Sequence, residues 1–339
     1  MTIRIKKDRI EFDGYTLYET PQGVFLNTNI NAACFVDLFQ GTVAWFVGGG
    51  YGIPFPSPPV PLCTVERYPF SATSGTSVSV GNLHTGRHAA ASHSSGTHGF
   101  ISMGFCNGGG SPAFTATCVI TAYPFSNVGA SQGIACSTAT PLNEGYVGTS
   151  SSTHGYISEG IPIQNNIHKF PFAGGTNSSS VGTLTRSRDS GSGTNSTTHG
   201  YDAGGAPVPG SGYLDKFQFA TDNVVTNLGN MGHQARSHAG ISSPSNGYAA
   251  GGGYPQITTI SRWPFSTDSG GSTIGNLTYC RDRLSGASSL THGYAIGGIC
   301  SGAAASANFI ERFPFASDTS MACVGNMTCN RTNAAPSQD

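Results

Sequence analysis

The sequence predicts an all-β protein made of six similar units closed into a ring. Three observations predict it. An aromatic-x-Phe element recurs at regular intervals, a Gly-aromatic element precedes most copies, and the last residues match a segment that the first unit lacks. A period of roughly 20–50 residues is the mark of a repeat architecture, so it is read before local propensity.

The first element ends at Phe70, Phe125, Phe172, Phe219, Phe265 and Phe315, with spacings of 55, 47, 47, 46 and 50 residues. Five copies read aromatic-Pro-Phe, and the fourth is Phe217-Gln218-Phe219. An aliphatic residue stands five positions before the final Phe in every copy: Val65, Ile120, Ile167, Leu214, Ile260 and Ile310. Side chains alternate across a strand, so this pattern puts apolar groups on both faces. A strand buried on both faces fits a sheet stacked between two others, as in propeller blades around an axis. The proline lacks an amide hydrogen and ends pairing on one side.

The second element reads Thr97-His98-Gly99-Phe100, Thr153-His154-Gly155-Tyr156, Thr198-His199-Gly200-Tyr201, Ser245-Asn246-Gly247-Tyr248 and Thr291-His292-Gly293-Tyr294. Its counterpart in the first unit is Trp45-Phe46-Val47-Gly48-Gly49, and glycine pairs also follow at Gly204-Gly205, Gly251-Gly252 and Gly297-Gly298. The third element is Gly81-Asn82-Leu83, Gly182-Thr183-Leu184, Gly229-Asn230-Met231, Gly275-Asn276-Leu277 and Gly325-Asn326-Met327. An arginine follows it at Arg87, Arg188, Arg281 and Arg331. Arg236 is displaced by one residue, and the second unit, Gly133-Ile134-Ala135-Cys136, lacks the arginine. No segment combines a 3.6-residue period with helix caps. Four short strands in about 47 residues is the content of one blade.

The ring is expected to close through its ends. Arg331-Thr332-Asn333-Ala334-Ala335-Pro336-Ser337-Gln338 parallels Arg236-Ser237-His238-Ala239-Gly240-Ile241-Ser242-Ser243, which opens a unit, yet no second strand follows it. The first unit has a second strand at Trp45 and no first strand. One blade shared by both ends removes exposed sheet edges. Residues 1–40 fall outside the period and hold a charged cluster, Arg4, Lys6, Lys7, Asp8, Arg9 and Glu11. Tyr15-Thr16-Leu17-Tyr18 and Gly23-Val24-Phe25-Leu26 are predicted to pair as a hairpin. Some 40 residues make a poor independent core, so this arm is expected to dock on the ring or on another protein.

The order Arg, small residues, aromatic-x-x-Gly-Gly, aliphatic-x-Arg-aromatic, then Gly-Asn-Leu resembles the kelch repeat over about residues 41–339. The resemblance implies that the double glycine ends the second strand of a four-stranded blade. Two departures stand out: Gly-Asn-Leu replaces the fourth-strand Trp, and the second and third units lack a full Gly-Gly. The expected fold is therefore an all-β, six-bladed, kelch-like β-propeller closed by its terminal strands. Residues 1–40 form a short β arm for anchoring and residues 41–339 the propeller.

Composition narrows function. Charged residues are 10% of the chain, against roughly 25% in ordinary soluble domains. The net charge of −1 provides no field for nucleic acid or anionic membrane. No run approaches the roughly 20 apolar residues of a membrane span, and the N-terminal residues have no apolar core of a signal peptide. Nine cysteines, an odd number without a CxxC, are expected to be free thiols.

The repeated His98, His154, His199 and His292 invite a metal reading. Their constant position, with Asn246 in one unit, favours a repeated hydrogen bond instead. Arg87, Arg188, Arg281 and Arg331 are either a basic ring or partners of backbone carbonyls at blade junctions, and the second is expected. Asp189, Asp202, Asp282, Glu144 and Glu159 are scattered and suggest no acid–base pair. No catalytic, cofactor-binding or metal residues are assigned, and no enzyme activity is expected. The layout of arm and propeller resembles virion appendage proteins. It implies a structural or receptor-binding role on a virion surface, with protein subunits held through residues 1–40 and a cell-surface glycan or receptor as partner. The alternatives are an intracellular kelch-type interaction module and a glycan-binding lectin.

Overall fold

A computed structural model describes residues 3–5, 9–12, 15–20, 23–28, 43–47, 50–51, 60–107, 114–139, 145–207, 212–222, 224–253, 255–300, 305–306 and 308–338. The chain divides into two compact units, Met1–Asp37 and Leu38–Asp339. The smaller is a four-stranded antiparallel meander, Ile3–Ile5, Arg9–Phe12, Tyr15–Thr20 and Gly23–Thr28. The hairpin predicted from Tyr15 to Leu26 forms, with Leu17 opposite Leu26.

The larger unit is a six-bladed β-propeller. Each blade is an antiparallel sheet whose strands are labelled a to d from the axis outward. Blade 1 joins Ala335–Gln338, Val43–Val47, Val60–Pro69 and Val78–Arg87. Blade 2 holds Ala91–Ser94, His98–Ser102, Val119–Pro124 and Gln132–Cys136, and blade 3 holds Tyr146–Ser150, His154–Glu159, Gln164–Pro171 and Ser179–Arg188. Blade 4 holds Ser192–Asn195, His199–Ala203, Tyr213–Gln218 and Val225–Asn230. Blade 5 holds Ala239–Ser242, Asn246–Ala250, Thr259–Pro264 and Ser272–Asn276, and blade 6 holds Ser285–Ser288, His292–Ile296, Phe309–Pro314 and Ala322–Asn326. Each a strand touches the a strands of both neighbours, so the ring is closed. The closing strand is the expected one: Ala335 pairs with Val47 and Gln338 with Ala44.

The repeated residues find their reasons in blade packing. On strand c the aliphatic residue and the first aromatic are both buried, Ile260 and Trp263 at 0% exposure being one example. That aromatic ring lies on the glycine of the Thr-His-Gly element: a Cβ on Gly200 would come within 2.3 Å of Phe217, and one on Gly247 within 2.4 Å of Trp263. The final Phe of strand c receives the strand b aromatic of the preceding blade. Phe100 stacks on Phe172 at 4.4 Å between ring centroids, Tyr156 on Phe219 at 4.8 Å, and Tyr201 on Phe265 at 4.7 Å. Tyr248 meets Phe315 at 5.2 Å and Tyr294 meets Phe70 at 4.8 Å. Each such pair adds about 0.5–1.5 kcal/mol beyond the burial of its area.

Two expectations are corrected. Cys118 and Cys136 are not free thiols but form a disulfide across strands c and d of blade 2, with Cα atoms 5.0 Å apart, inside the range that a disulfide spans. Cys63, Cys106, Cys280, Cys300, Cys323 and Cys329 are free, and Cys34 lies outside the described residues. The arginine of each unit does not open strand a. Arg87 and Arg188 close strand d, and a residue at positive φ two positions later turns the chain inward.

Candidate functional site

The inner strands surround an axial cavity of about 260 Å³, lined by residues of all six blades. Its walls follow from a short repeated pattern. The inner strands end in Ser94, Ser150, Asn195, Ser242, Ser288 and Gln338, and the residue two before the last is a glycine in blades 3 to 6. A Cβ on Gly193 would lie 2.1 Å from the Gly148 carbonyl oxygen, and one on Gly286 2.0 Å from that of Gly240. Only glycine lets the inner strands approach so closely.

Two belts of hydrogen bonds brace the cavity. Near the a–b turns, an amide of five of the blades donates to a side-chain oxygen of the next. Ser94 donates to Ser150 Oγ at 3.1 Å, Asn195 to Ser242 Oγ at 3.1 Å, and Ser242 to Ser288 Oγ at 2.9 Å. Ser288 donates to Gln338 Oε1 at 2.8 Å, and Gln338 to Ser94 Oγ at 3.0 Å, which ties the C-terminal strand into the belt. At the other end, the backbone of Ser190 donates to Gly145, Ser237 to Ser190, and Asn333 to Arg283. The residues at this end sit at positive φ in every blade: Ala89, Gly145, Ser190, Ser237, Arg283 and Asn333. Asp189, Arg236, Asp282 and Arg283 put charge at that mouth. Burial pushes the Asp282 carboxyl up, against the opposing pull of Arg283, Gln256 and Arg236.

The four histidines do not converge on this cavity. They occupy the a–b turns at the opposite end, half-buried, each with Nδ1 at 2.8 Å from the preceding threonine hydroxyl. In blade 5, Asn246 Nδ2 donates to Ser245 Oγ at 2.9 Å, so asparagine reproduces the same local bond. The serine three residues before each histidine accepts its amide at 2.9–3.1 Å. Among the described residues, no group of three or more His, Cys, Asp or Glu side chains is placed to hold a metal ion.

The four arginines do not form a basic ring either. They are buried between blades, with at most 2% exposure. Each reaches strand c of the next blade. Arg188 donates to the Asp202 carbonyl at 3.0 Å and to Asp215 Oδ2 at 3.2 Å. Arg281 pairs with Glu311 and the Gly297 carbonyl, and Arg331 with Glu66 Oε1 at 2.5 Å and the Thr64 carbonyl at 2.9 Å. Burial would raise the Glu66 carboxyl, but Arg331, Ser77 and Thr328 outweigh it and hold the group below its usual range. The carbonyl partners were expected, whereas the carboxylates Glu66, Asp215 and Glu311 were not. The available signal was positional: each directly follows the strand c aliphatic residue of the unit after an arginine.

Of the scattered acids, Asp202 lies beside Arg188 at 3.4 Å, and Asp189 and Asp282 line the cavity mouth. Glu144 lies outside the described residues, as do Gly48 and Gly49, and Glu159 is described only in its backbone. Five histidines that the spacing did not single out are buried or nearly so. Burial depresses His88, His93 and His233 to about 4 and His238 to about 3, and lowers His168. Comparison with models of known families and with curated proteins gave no match.

Proposed function

We propose that this protein is a non-catalytic binding and assembly module that presents its propeller on the surface of a particle, with the b–c end as the recognition face. One observation carries the reading: the two ends of the ring differ in regularity. The a–b turns of blades 2 to 6 repeat one three-residue connection, whereas the b–c connections range from residues 160–163 in blade 3 to residues 103–118 in blade 2. Two of them carry hairpins of their own, Phe105–Asn107 with Phe114–Ala116 and Ile299–Cys300 with Ala305–Ser306. These connections bridge to the residues at the cavity mouth, Asp189 to Ala206 and Asp282 to Ile299. Variable loops on a rigid scaffold are where recognition concentrates.

The low charge, the serine- and glycine-rich surface and the separate charged unit at residues 1–37 support a virion surface or tail appendage component anchored through that unit. The positive-φ glycine pairs ending strand b in blades 4 to 6 support a kelch-like repeat. The test is the protein composition of purified particles from the source, together with attachment of particles to host cells. Loss of attachment on exchange of the 103–118 connection, with particles still assembled, supports the reading. Absence of the chain from particles ends it.

A glycan-binding reading has one observation in its favour. The half-exposed Tyr279 ring stacks on Phe309 at 5.5 Å, an aromatic platform of the kind that sugar rings cover. A glycan array with the native protein and Tyr279→Ala decides it: a hit lost in the variant supports a lectin, and an empty array removes it.

A further inference from the structure

The six blade junctions form an internal comparison series. In three of them a buried arginine from one blade meets a carboxylate in the next: Arg188 with Asp215, Arg281 with Glu311, Arg331 with Glu66. The junction between blades 1 and 2 has the arginine but not the acid. Arg87 is 2% exposed and its Nη2 donates to Thr121 Oγ1 at 3.2 Å. Thr121 occupies the position of Glu66, Asp215 and Glu311, directly after the strand c aliphatic Ile120. Its side chain is two heavy atoms shorter than glutamate, so it ends before the place where a glutamate carboxylate sits.

The guanidinium is thus a buried cation with no carboxylate pairing it among the described residues. Its Nε and Nη1 are out of contact with solvent and have no hydrogen-bond partner. A buried charge without a counter-charge is strongly unfavourable, and the other three arginines are not left so. The Cys106 thiol acts on Arg87 electrostatically, but its Sγ donates to the Thr115 carbonyl at 3.4 Å. The Thr121 hydroxyl accepts from Nη2. In the sister junctions the carboxylate meets Nη2; here, among the described residues, Nη2 has only the Thr121 hydroxyl, so what sets Arg87 apart is the missing counter-charge.

We propose that the junction of blades 1 and 2 binds a small monovalent anion, a halide in ordinary saline, which stands in for the missing carboxylate beside Arg87. The site holds the blade that closes the ring to its neighbour, so its occupancy is read as stability of the whole propeller. A ligand that binds only the folded state raises the melting temperature in a saturable way.

The experiment measures thermal unfolding of the full chain in sodium chloride, sodium bromide and sodium methanesulfonate at one ionic strength, with the halide titrated against methanesulfonate. The expected result is a saturable halide-dependent rise of about 2–4 °C, absent in Thr121→Glu and in Arg87→Met. A bromide-soaked crystal should show an anomalous peak within hydrogen-bond reach of Arg87 Nε or Nη1. Equal melting in all three salts overturns the proposal, as does a halide response that survives in both variants. An anomalous map with no peak at Arg87 overturns it too, and Arg87→Met supplies the answer if Thr121→Glu does not fold.

Discussion

The junctions of blades 3–4, 5–6 and 6–1 and those of blades 2–3 and 4–5 solve one problem differently. The first group buries arginine against carboxylate. In the second, blade 2 has no arginine and Arg236 of blade 4 is displaced to the cavity mouth; a neutral histidine stands on one side of the junction instead, His233 on the arginine's side and His168 in the carboxylate's position. Between blades 4 and 5, His233 Nδ1 bonds Ser261 Oγ at 2.7 Å, and between blades 2 and 3, His168 Nδ1 bonds Thr138 Oγ1 at 3.2 Å. The two designs store different sensitivities. An ion pair fails when one partner is removed, while a buried imidazole fails when it gains a proton.

Acid should separate the two groups most sharply. Burial holds His233 and His238 at about 4 and about 3, below the 6.5 of an exposed imidazole. The unfolded chain then binds more protons than the folded one in this interval, so stability is complete above about pH 6.5 and falls as pH drops toward 4. Glu66, whose carboxyl is held low, keeps its contribution until pH falls below the ordinary carboxylate range, near 4.5. Amide exchange between pH 7 and 4.5 should therefore rise first at the junctions of blades 2–3 and 4–5. His233→Gln should move the acid midpoint to lower pH. Uniform exchange around the ring would show that the histidine junctions are not the weak points.

Removing one member of a buried pair comes next in size. Glu311→Gln leaves Arg281 buried without its counter-charge and should cost about 3–5 kcal/mol in urea unfolding. A cost under about 1 kcal/mol would mean that the Gly297 carbonyl alone satisfies the guanidinium. The disulfide follows. Blade 2 has lost both the Gly-Asn-Leu element and the arginine, and its Cys118–Cys136 bond closes a loop of 18 residues. Reduction, or Cys118→Ser, should destabilise by about 3 kcal/mol, with the first local opening in blade 2. Unchanged stability in reductant would assign no work to the bond.

The smallest effect belongs to an outer belt of ion pairs between blades: Lys169 with Asp222 at 3.0 Å, Lys216 with Asp268 at 2.6 Å, and Arg262 with Asp318. They repeat as regularly as the inner pairs, yet the Asp268 side chain is 64% exposed. Lys216→Ala should cost about 0.2–1 kcal/mol, and less in high salt. A cost equal to that of Glu311→Gln would erase the distinction between buried and exposed belts.

These contrasts also mark what the sequence reveals. The aromatic-Pro-Phe copies and the strand completing blade 1 are legible because packing demands the same residue in every unit. Glu66, Asp215 and Glu311 were not, because the demand exists only where an arginine precedes, and Glu and Asp share it. The turns into strand a were hidden for another reason. Their positive-φ residues are Ala89, Ser190, Ser237, Arg283 and Asn333 as well as Gly145, so glycine does not flag them. Cys118 and Cys136 meet through pairing of strands c and d in the one degenerate unit, where the period gives least guidance. The cavity was invisible because its walls are drawn from six separate strands, mostly small residues that the period does not single out.

Blade 1 assembles from segments separated in sequence by the other five blades, Ala335 lying beside Val47. During synthesis, the first three strands of that sheet emerge long before the fourth exists. They must wait, with one edge bare, until the five intervening blades have been made. Pairing across such a sequence distance is slow, so a chaperone or a fast-folding set of middle blades has the time to shield that edge.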